Sequence, residues 1–156
     1  MVQGSVRVTT RPLTSDDAGA VRQLDQLILG RDRSSSWDEY MDRFLAMSRL
    51  SYATRPWWGS QVAEVDGRVV GFILAERQSA GYGLPPGARI VAIAVHPEFR
   101  RMGVGGRLME ALKADCRRQG ISQIYSLLED EDRRDAEFLE ACGFDAAKLK
   151  VYMSEV

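Results

Sequence analysis

The residues most suited to chemistry form a glycine-rich turn with three arginines, between Val95 and Arg107. The turn follows an apolar run, Ile90–Val95, and leads into a stripe of apolar residues at helical spacing. The first N–H groups of a helix have no partner within the helix, and the helix dipole makes this end positive. Glycines remove the Cβ atoms that would keep a phosphate from those N–H groups, while Arg100, Arg101 and Arg107 add charge and paired donors. The turn therefore predicts a pyrophosphate-binding site.

Other phosphate-binding and nucleophilic motifs are absent from the sequence. The glycines of the turn are not followed by the Lys-Ser/Thr pair of a P-loop, and they lack the Gly-x-Gly-x-x-Gly spacing of a dinucleotide site. The single histidine, His96, is expected to cap the turn rather than to catalyse. With no second histidine and only two cysteines, Cys116 and Cys142, we expect neither a metal site nor a cysteine nucleophile.

Hydrophobic periodicity predicts the elements that position this turn. A capping box from Thr14 to Asp17 begins the first helix, and Asp66-Gly67 predicts a two-residue hairpin turn. Helical spacing predicts helices at Ala18–Ile28, Trp37–Leu45, Val104–Cys116 and Arg133–Ala141. Strand patterns predict strands at Ser5–Thr10, Gln61–Val65, Arg68–Arg77, Arg89–Val95, Ile121–Leu128 and Phe144–Met153.

The order of these elements indicates the fold class. A doubly wound dinucleotide-binding fold alternates strands and helices throughout, whereas here only Arg89–Leu128 has the pattern of a β-α-β unit. The sequence therefore predicts an α/β chain of the α+β type. Its sheet is expected to be mixed and mostly antiparallel, with helices on both faces.

Length and composition fit one domain over residues 1–156 and exclude several classes of protein. The chain has 156 residues, 45% of them hydrophobic and 28% charged, with a formal net charge of -1. Sequence-independent nucleic-acid binding needs an excess of cations, so no nucleic-acid partner is expected. The longest apolar run, Ile90–Val95, is far too short for a bilayer span, and the first residues lack a secretory pattern. We therefore expect a cytoplasmic protein without membrane association.

The glycine-rich turn resembles the acetyl-CoA signature of the GNAT superfamily of N-acetyltransferases. That signature, Arg/Gln-x-x-Gly-x-Gly/Ala, is matched by Arg100-Arg101-Met102-Gly103-Val104-Gly105. The preceding His96-Pro97-Glu98-Phe99-Arg100 is similar to the family's Val-His-Pro-Glu-Tyr-Arg stretch, and Gly143-Phe144 stands where the family has Gly-Phe after its fourth helix. Arg11-Pro12 and Asp16-Asp17-Ala18 look like the family's first strand and helix, so the resemblance covers nearly the whole chain.

The resemblance implies a GNAT-like sheet of six to seven strands with a central splayed parallel pair, here Arg89–Val95 and Ile121–Leu128. The pantetheine arm of acetyl-CoA would lie in the gap, and a primary amine of a small molecule or protein would attack the thioester directly in a ternary complex. A backbone N–H of the central strand would stabilise the oxyanion. The residues implied to bind the acyl donor are Ile93, Val95, Arg100, Arg101, Met102, Gly103, Val104, Gly105, Gly106, Arg107 and Asp132.

Two positions depart from the family pattern. The fourth helix usually has Asn near its start and Tyr four residues before the Gly-Phe pair, where this chain has Asp132 and Leu139. Leucine cannot protonate the departing thiolate, so Tyr125 and Tyr152, on flanking strands, are the candidate acids. A thiol with a pKa of about 8.5 leaves as an anion at a cost of roughly 2 kcal/mol at pH 7, so the loss need not abolish activity.

A base is also expected, because an alkyl ammonium must lose a proton before it attacks. Glu129, at the end of the splayed strand, is the first candidate, and Glu64 and Glu76 on the hairpin strands are alternatives. The acidic run Glu129–Asp132 has two compatible interpretations. It complements the dipole of the following helix, and it would draw a cationic amine to the acetyl group. The predicted catalytic pair is Glu129 and Tyr152.

Several expectations stay open at the level of the sequence. Trp57-Trp58 could line an acceptor pocket for an apolar group or serve packing alone. Leu139 keeps an alternative function open, a degenerate member of the fold that binds acyl-CoA as a sensor or docking unit without turnover. The resemblance also leaves a homodimer open, because family members often dimerise. The acceptor amine is not identified.

Overall fold

The computed structural model describes residues 6–29, 35–46, 59–78 and 85–156. The strands are β1 (Thr9–Pro12), β2 (Gln61–Val65), β3 (Arg68–Gln78), β4 (Gly87–Val95) and β5 (Ile124–Ser126). The helices are α1 (Ala18–Leu29), α2 (Ser35–Ala46), α3 (Val104–Arg118) and α4 (Arg133–Ala141), with short 3₁₀ turns at Ser15–Asp17 and Pro97–Phe99. None of these helices combines the length and the apolar character that crossing a membrane requires.

The five strands form one sheet in the order β1-β2-β3-β4-β5. Neighbouring strands from β1 to β4 are antiparallel, and β4 and β5 form a parallel pair. The predicted fold class, a mixed and mostly antiparallel sheet with one parallel pair, is therefore confirmed. The predicted hairpin turn joins β2 to β3, and both Asp66 and Gly67 have the positive φ that a tight hairpin turn requires.

The prediction of six to seven strands was wrong, since the described residues contain five. The alternating segment Phe144–Met153 forms no strand, and residues 144–156 have neither helix nor strand. Alternation gives a segment one apolar side, but a strand also needs a neighbouring backbone to bond its N–H and C=O groups. The first strand lies at Thr9–Pro12 rather than Ser5–Thr10, and Pro12 is tolerated there because β1 is an edge strand.

Helices cover both faces of the sheet, as predicted. On one face, Phe72 of β3 joins a buried core with Val21 of α1 and Met41 of α2. Neighbouring residues of a strand point to opposite faces. A Cβ placed on Gly71 would lie 3.1 Å from Val104 at the start of α3, so the missing side chain lets α3 pack closely on the second face.

A buried carboxylate joins β1 to the start of the first helix. Asp17 is 5% exposed and accepts hydrogen bonds from Arg11 Nη1 at 2.8 Å and Nη2 at 2.7 Å. It also accepts from the N–H of Thr14 at 2.8 Å, which confirms the predicted capping box. Burial acts to raise the pKa of Asp17, but the hydrogen bonds from Arg11 and Thr14 outweigh it and hold this pKa below its ordinary value.

Asp17→Asn is expected to lower the free energy of unfolding by about 2 kcal/mol at pH 7, because it removes the charge that Arg11 and Thr14 bond. The pKa of Asp17 is lower in the folded than in the unfolded chain, so its contribution is complete above the unfolded pKa of about 4 and is lost as the pH falls through the folded pKa. Urea denaturation of the two proteins should therefore converge in acid. Asp16→Asn, at the exposed neighbour, is the control, and an equal loss there would contradict the assignment.

The chain divides into two compact units, residues 1–126 and residues 127–156. In the second unit, Leu139 is the buried side chain of α4. The carbonyl oxygen of Leu139 accepts from the N–H of Phe144 at 3.0 Å, and Gly143 ends the helix with a φ of 90°. The single domain over residues 1–156 stays a prediction.

Candidate active site

One edge of β4 is open along its second half. β5 pairs with β4 only from Ala88 to Ile90, and among the described residues no strand pairs with that edge beyond Ile90. β4 continues to Val95, and residues 91–95 are all partly exposed. The observed β5, Ile124–Ser126, is shorter than the predicted strand Ile121–Leu128. The parallel pairing therefore ends at Ile90, and the splaying of the pair stays a prediction.

A bulge in β4 decides which backbone groups face the open edge. The pairing register shifts between Leu74 and Ala75 of β3, which leaves Val91 as an extra residue on β4. Before the bulge, the N–H of Ala88 points toward β5 and donates to the carbonyl of Gln123 at 3.0 Å. One extra residue reverses the side to which each later backbone group points.

Beyond the bulge, Ile93 and Val95 direct their N–H and C=O groups away from β3. The N–H of His96 donates to the carbonyl of Val70 on β3 at 2.8 Å. Because backbone groups alternate between the two sides of a strand, Ala94 also faces β3, whereas Ile93 and Val95 face the open edge. These are the two residues whose backbone was predicted to bond the donor.

The turn after β4 is held by two side chains. Nδ1 of His96 accepts from the N–H of Glu98 at 3.2 Å, which confirms the predicted capping role. Arg100 folds back, and its Nε donates to the carbonyl of Val95 at 3.2 Å. The Phe99 ring packs edge-on against His96, with ring centroids 5.7 Å apart. The turn is therefore fixed in place before the glycines begin.

The glycine-rich turn presents backbone N–H groups to open space. Arg101 has a φ of 62° and Gly103 a φ of 74°, both left-handed, while Met102 between them does not. Alternating handedness turns successive N–H groups toward one point and forms a concavity suited to an anion. Gly103 offers no side-chain cap to α3, so the N–H groups of Val104–Gly106 lack acceptors within the helix. We call residues 101–106 the cradle.

The surroundings of the cradle leave room for a ligand. A Cβ on Gly103 or Gly106 would have no described atom within 4 Å. Val104 is buried and anchors the start of α3 on the sheet, while Arg101 is exposed. Nη1 of Arg107 donates to the carbonyl of Val8 at 3.1 Å, so this guanidinium ties α3 to the residue before β1. Sequence reasoning predicted that Arg107 adds charge and paired donors at the phosphate site, and it missed this contact with Val8.

The carboxylates predicted as alternative bases are already in ion pairs. Glu64 accepts from Nε of Arg11 at 3.0 Å, and Glu76 accepts from Nε of Arg89 at 2.9 Å. Both carboxylates are therefore already engaged by an arginine of the sheet. Trp57-Trp58, the predicted acceptor-side aromatic pair, lies outside the described residues.

The remaining predicted site residues are exposed in the second unit. Asp132 is the N-cap residue of α4 but makes no side-chain capping bond there. Glu129 is exposed, and Tyr152 is 87% exposed and lies on no strand, contrary to the expectation that it does. The catalytic roles of Glu129 and Tyr152, and the binding role of Asp132, stay predictions. Tyr125 does lie on β5, where its hydroxyl donates to the carbonyl of Pro85.

A network that the sequence did not predict connects α2 to the two longest strands. Nη2 of Arg89 donates to the Tyr40 hydroxyl at 3.1 Å while Nε of the same side chain bonds Glu76. Burial, followed by the negative charge of Glu76, raises the pKa of Tyr40. The pairing of residues 76 and 89 depends on the register of β3 and β4, for which the sequence has no local signal.

The Cys116 thiol is buried on α3. Burial, with the charge of Asp115, raises the pKa of the Cys116 thiol to about 11, which leaves it protonated at neutral pH. Among the described residues no group of three or more His, Cys, Asp or Glu is placed to hold a metal ion.

The sequence matches the model of the acetyltransferase (GNAT) family over residues 21–144. The chain belongs to the GNAT acetyltransferase family. The matched range contains the open edge of β4, the cradle and α4. No curated protein matches the chain.

Solved structures of other acetyltransferases share the fold. The aminoglycoside N-acetyltransferase AAC(6')-Iy in complex with CoA superposes with a TM-score of 0.77 at 18% identity over 99% of each chain. Ard1 from Thermoplasma volcanium gives a TM-score of 0.70 at 28% identity over 91% of this chain and 85% of its own. The ribosomal-protein-alanine N-acetyltransferase from Brucella melitensis gives 0.71 at 18% identity, over 96% of this chain and 99% of its own.

Leu139→Tyr tests the departure from the GNAT pattern. Leu139 is 8% exposed, so the larger ring is expected to lower the free energy of unfolding by about 1–3 kcal/mol. Turnover measured where both proteins are folded should stay equal or rise, since the resemblance to the family assigns a proton donor to this position. Thermal melts and steady-state rates check the two effects.

Glu140→Tyr, at the exposed neighbour, is the control for adding a tyrosine to α4. A stable, CoA-binding Leu139→Tyr protein whose turnover falls at least tenfold would refute the hypothesis that Leu139 leaves the family's proton-donor position unfilled.

Proposed function

We propose that this chain is an acetyl-CoA-dependent N-acetyltransferase, which transfers the acetyl group to a primary amine of a small molecule or a protein by direct attack in a ternary complex. The observation that carries the proposal is the succession of two features along the chain. An open strand edge at Ile93 and Val95 leads directly into a cradle of outward N–H groups at residues 101–106. Family membership supports the same activity.

The two features match the two polar parts of coenzyme A. Its pantetheine arm carries amides, which bond to a strand edge as another strand would, and its pyrophosphate needs several converging N–H donors. In this proposal the backbones of Ile93 and Val95 bind the arm, and the N–H groups from Arg101 to Gly106 bind the pyrophosphate. Arg100 and Arg107 add positive charge. Their side chains also hold the two ends of the turn, by hydrogen bonds to the backbone carbonyls of Val95 and Val8 respectively.

Bound acetyl-CoA supplies an activated thioester carbonyl. The N–H groups at the open edge are held in fixed directions by the sheet, and such preorganised donors stabilise the negative charge that develops on a carbonyl oxygen. This stabilisation of the carbonyl oxygen comes from backbone N–H groups and requires no side chain of β4. The general base and the general acid, Glu129 and Tyr152, stay predictions of the sequence.

A primary amine is the acceptor class that the relatives support. Structures similar to this chain include aminoglycoside N-acetyltransferases and a ribosomal-protein-alanine N-acetyltransferase, so both small-molecule and protein amines belong in a test. The cytoplasmic location, the lack of a nucleic-acid partner and the homodimer stay predictions.

The test is to incubate the protein with acetyl-CoA and a panel of amines, and to measure the free thiol released. We expect release above the rate without enzyme for at least one amine, with the acetylated product identified by mass spectrometry. The panel should contain polyamines, amino acids, aminoglycosides and peptides with free N-termini or lysines. If the protein binds CoA but releases thiol with none of the amines, the proposal that it is an N-acetyltransferase is contradicted.

That second result would favour a sensor or docking module that binds acyl-CoA without turnover. The observation that favours it is the buried apolar side chain of Leu139, which replaces a proton donor at the family's tyrosine position. Calorimetry with CoA, run beside the thiol assay, separates the module from a protein that does not bind CoA at all.

A further inference from the structure

The lysines of this chain are few and unevenly placed. Of its 21 basic residues only three are lysines, Lys113, Lys148 and Lys150. The arginine guanidinium stays protonated and is not a nucleophile at neutral pH, whereas a lysine amine becomes one on losing a proton. The side-chain amines that could accept an acetyl group are therefore these three.

The three lysines differ in their surroundings. Lys113 lies on α3, where its Nζ is 3.7 Å from Glu110 and its side chain is 25% exposed. Lys148 and Lys150 are both exposed in the segment 144–156, which has neither helix nor strand. Within the described residues neither of these two ammonium groups lies within ion-pair distance of a carboxylate.

The segment around the two lysines has the character of a peptide substrate. Phe144 bonds to the end of α4, but residues 145–156 belong to neither helix nor strand, so an active site can take up this part without unfolding an element. Leu149 and Val151, 47% and 80% exposed, alternate with the lysines and offer apolar contacts. In an extended segment Lys148 and Lys150 lie on one side, and Leu149 and Val151 lie on the other.

We infer that Lys148 and Lys150 are self-acetylation sites of this protein, an inference that rests on the proposed N-acetyltransferase activity. The deprotonated Nζ attacks the acetyl carbonyl carbon, an N–C bond forms and the C–S bond breaks. The proton lost by the attacking amine passes through water to the departing thiolate, so coenzyme A leaves as the thiol. The products are an uncharged acetyl-lysine and free CoA, and the segment loses one positive charge per event.

The experiment follows the full-length protein during incubation with acetyl-CoA, by intact-mass measurement and peptide mapping. We expect Lys148 and Lys150 to be acetylated at least tenfold faster than Lys113, and at least tenfold faster than the same lysines in Gly103→Val, whose cradle is damaged. Lys148→Arg/Lys150→Arg keeps both charges and should lose the modification while transferring to external amines at the wild-type rate. Equal rates at all three lysines, or equal rates in the wild type and Gly103→Val, would mean uncatalysed acetylation and overturn the inference.

A parallel thiol assay with the amine panel distinguishes the failure of this inference from the failure of the proposed function. Thiol release with an external amine, but no acetylation of Lys148 or Lys150, overturns self-acetylation and leaves the N-acetyltransferase proposal intact. No transfer to any amine, external or internal, overturns both.

Discussion

Gly103→Val is expected to weaken the binding of coenzyme A more than tenfold. Gly103 has a φ of 74°, and a left-handed conformation costs a residue with a Cβ about 1–2 kcal/mol, more for a β-branched one. In Gly103→Val the turn either keeps its conformation at this cost in free energy or changes it, and a change rotates its N–H groups out of the cradle. The added side chain would also project into the open space above Gly103, where a phosphate would approach. A tenfold loss corresponds to about 1.4 kcal/mol, which either effect can supply.

Gly120→Val is the matched control for this substitution. Gly120 follows the other end of α3, has a φ of 71°, and a Cβ there would likewise have no described atom within 4 Å. It therefore carries the same backbone strain without touching the cradle. We expect both variants to melt at lower temperature and only Gly103→Val to lose CoA affinity by calorimetry. A folded Gly103→Val protein that binds CoA with the wild-type Kd would contradict the assignment of the cradle as the pyrophosphate site.

Local rules explain why the turn was predictable from the sequence. An apolar run, a histidine cap, glycines and an apolar stripe at helical spacing are each decided by neighbouring residues. The structure accordingly has β4 at Gly87–Val95 and α3 at Val104–Arg118, close to the predicted bounds. The capping box at Thr14 and the hairpin turn at Asp66-Gly67 succeeded for the same reason.

Two of the features that sequence reasoning missed depend on partners distant along the chain. Val91 lies within an apolar run without alternation, so the bulge that redirects Ile93 and Val95 has no local signal. The alternation of Phe144–Met153 was sufficient to predict a strand, but no neighbouring backbone pairs with it in the described residues. The left-handed Arg101 also escaped prediction, since that conformation is uncommon for any residue with a Cβ.

Val95→Pro is expected to lower kcat/KM for acetyl transfer by about a hundredfold or more, the usual effect of removing one preorganised backbone donor from an acyl-transfer site. The N–H of Val95 faces the open edge of β4, so proline removes a donor that the proposal assigns to acetyl-CoA and leaves the ladder to β3 unbroken. Proline is tolerated at an unpaired strand edge, and the protein should stay folded. Steady-state kinetics and thermal melts are the measurements. Val95→Ala, which changes the side chain but keeps the N–H, should retain most of the activity.

Ala94→Pro, one residue away, is expected to act in the opposite manner. The antiparallel pairing of Phe72 with Ala94 directs the N–H of Ala94 to β3, as the adjacent bond from His96 to Val70 requires. Its removal leaves a carbonyl of β3 without its donor and costs about 1–3 kcal/mol of stability, in addition to the strain of proline within the sheet. The two variants therefore test the bulge itself, because without the extra residue at Val91 their effects would be exchanged. The proposed donor site requires that the N–H of Val95 faces the open edge and the N–H of Ala94 faces β3. An unstable Val95→Pro protein beside a stable, inactive Ala94→Pro protein would contradict these directions. A Val95→Pro protein with the wild-type kcat/KM would contradict the assignment of the Val95 N–H to acetyl-CoA.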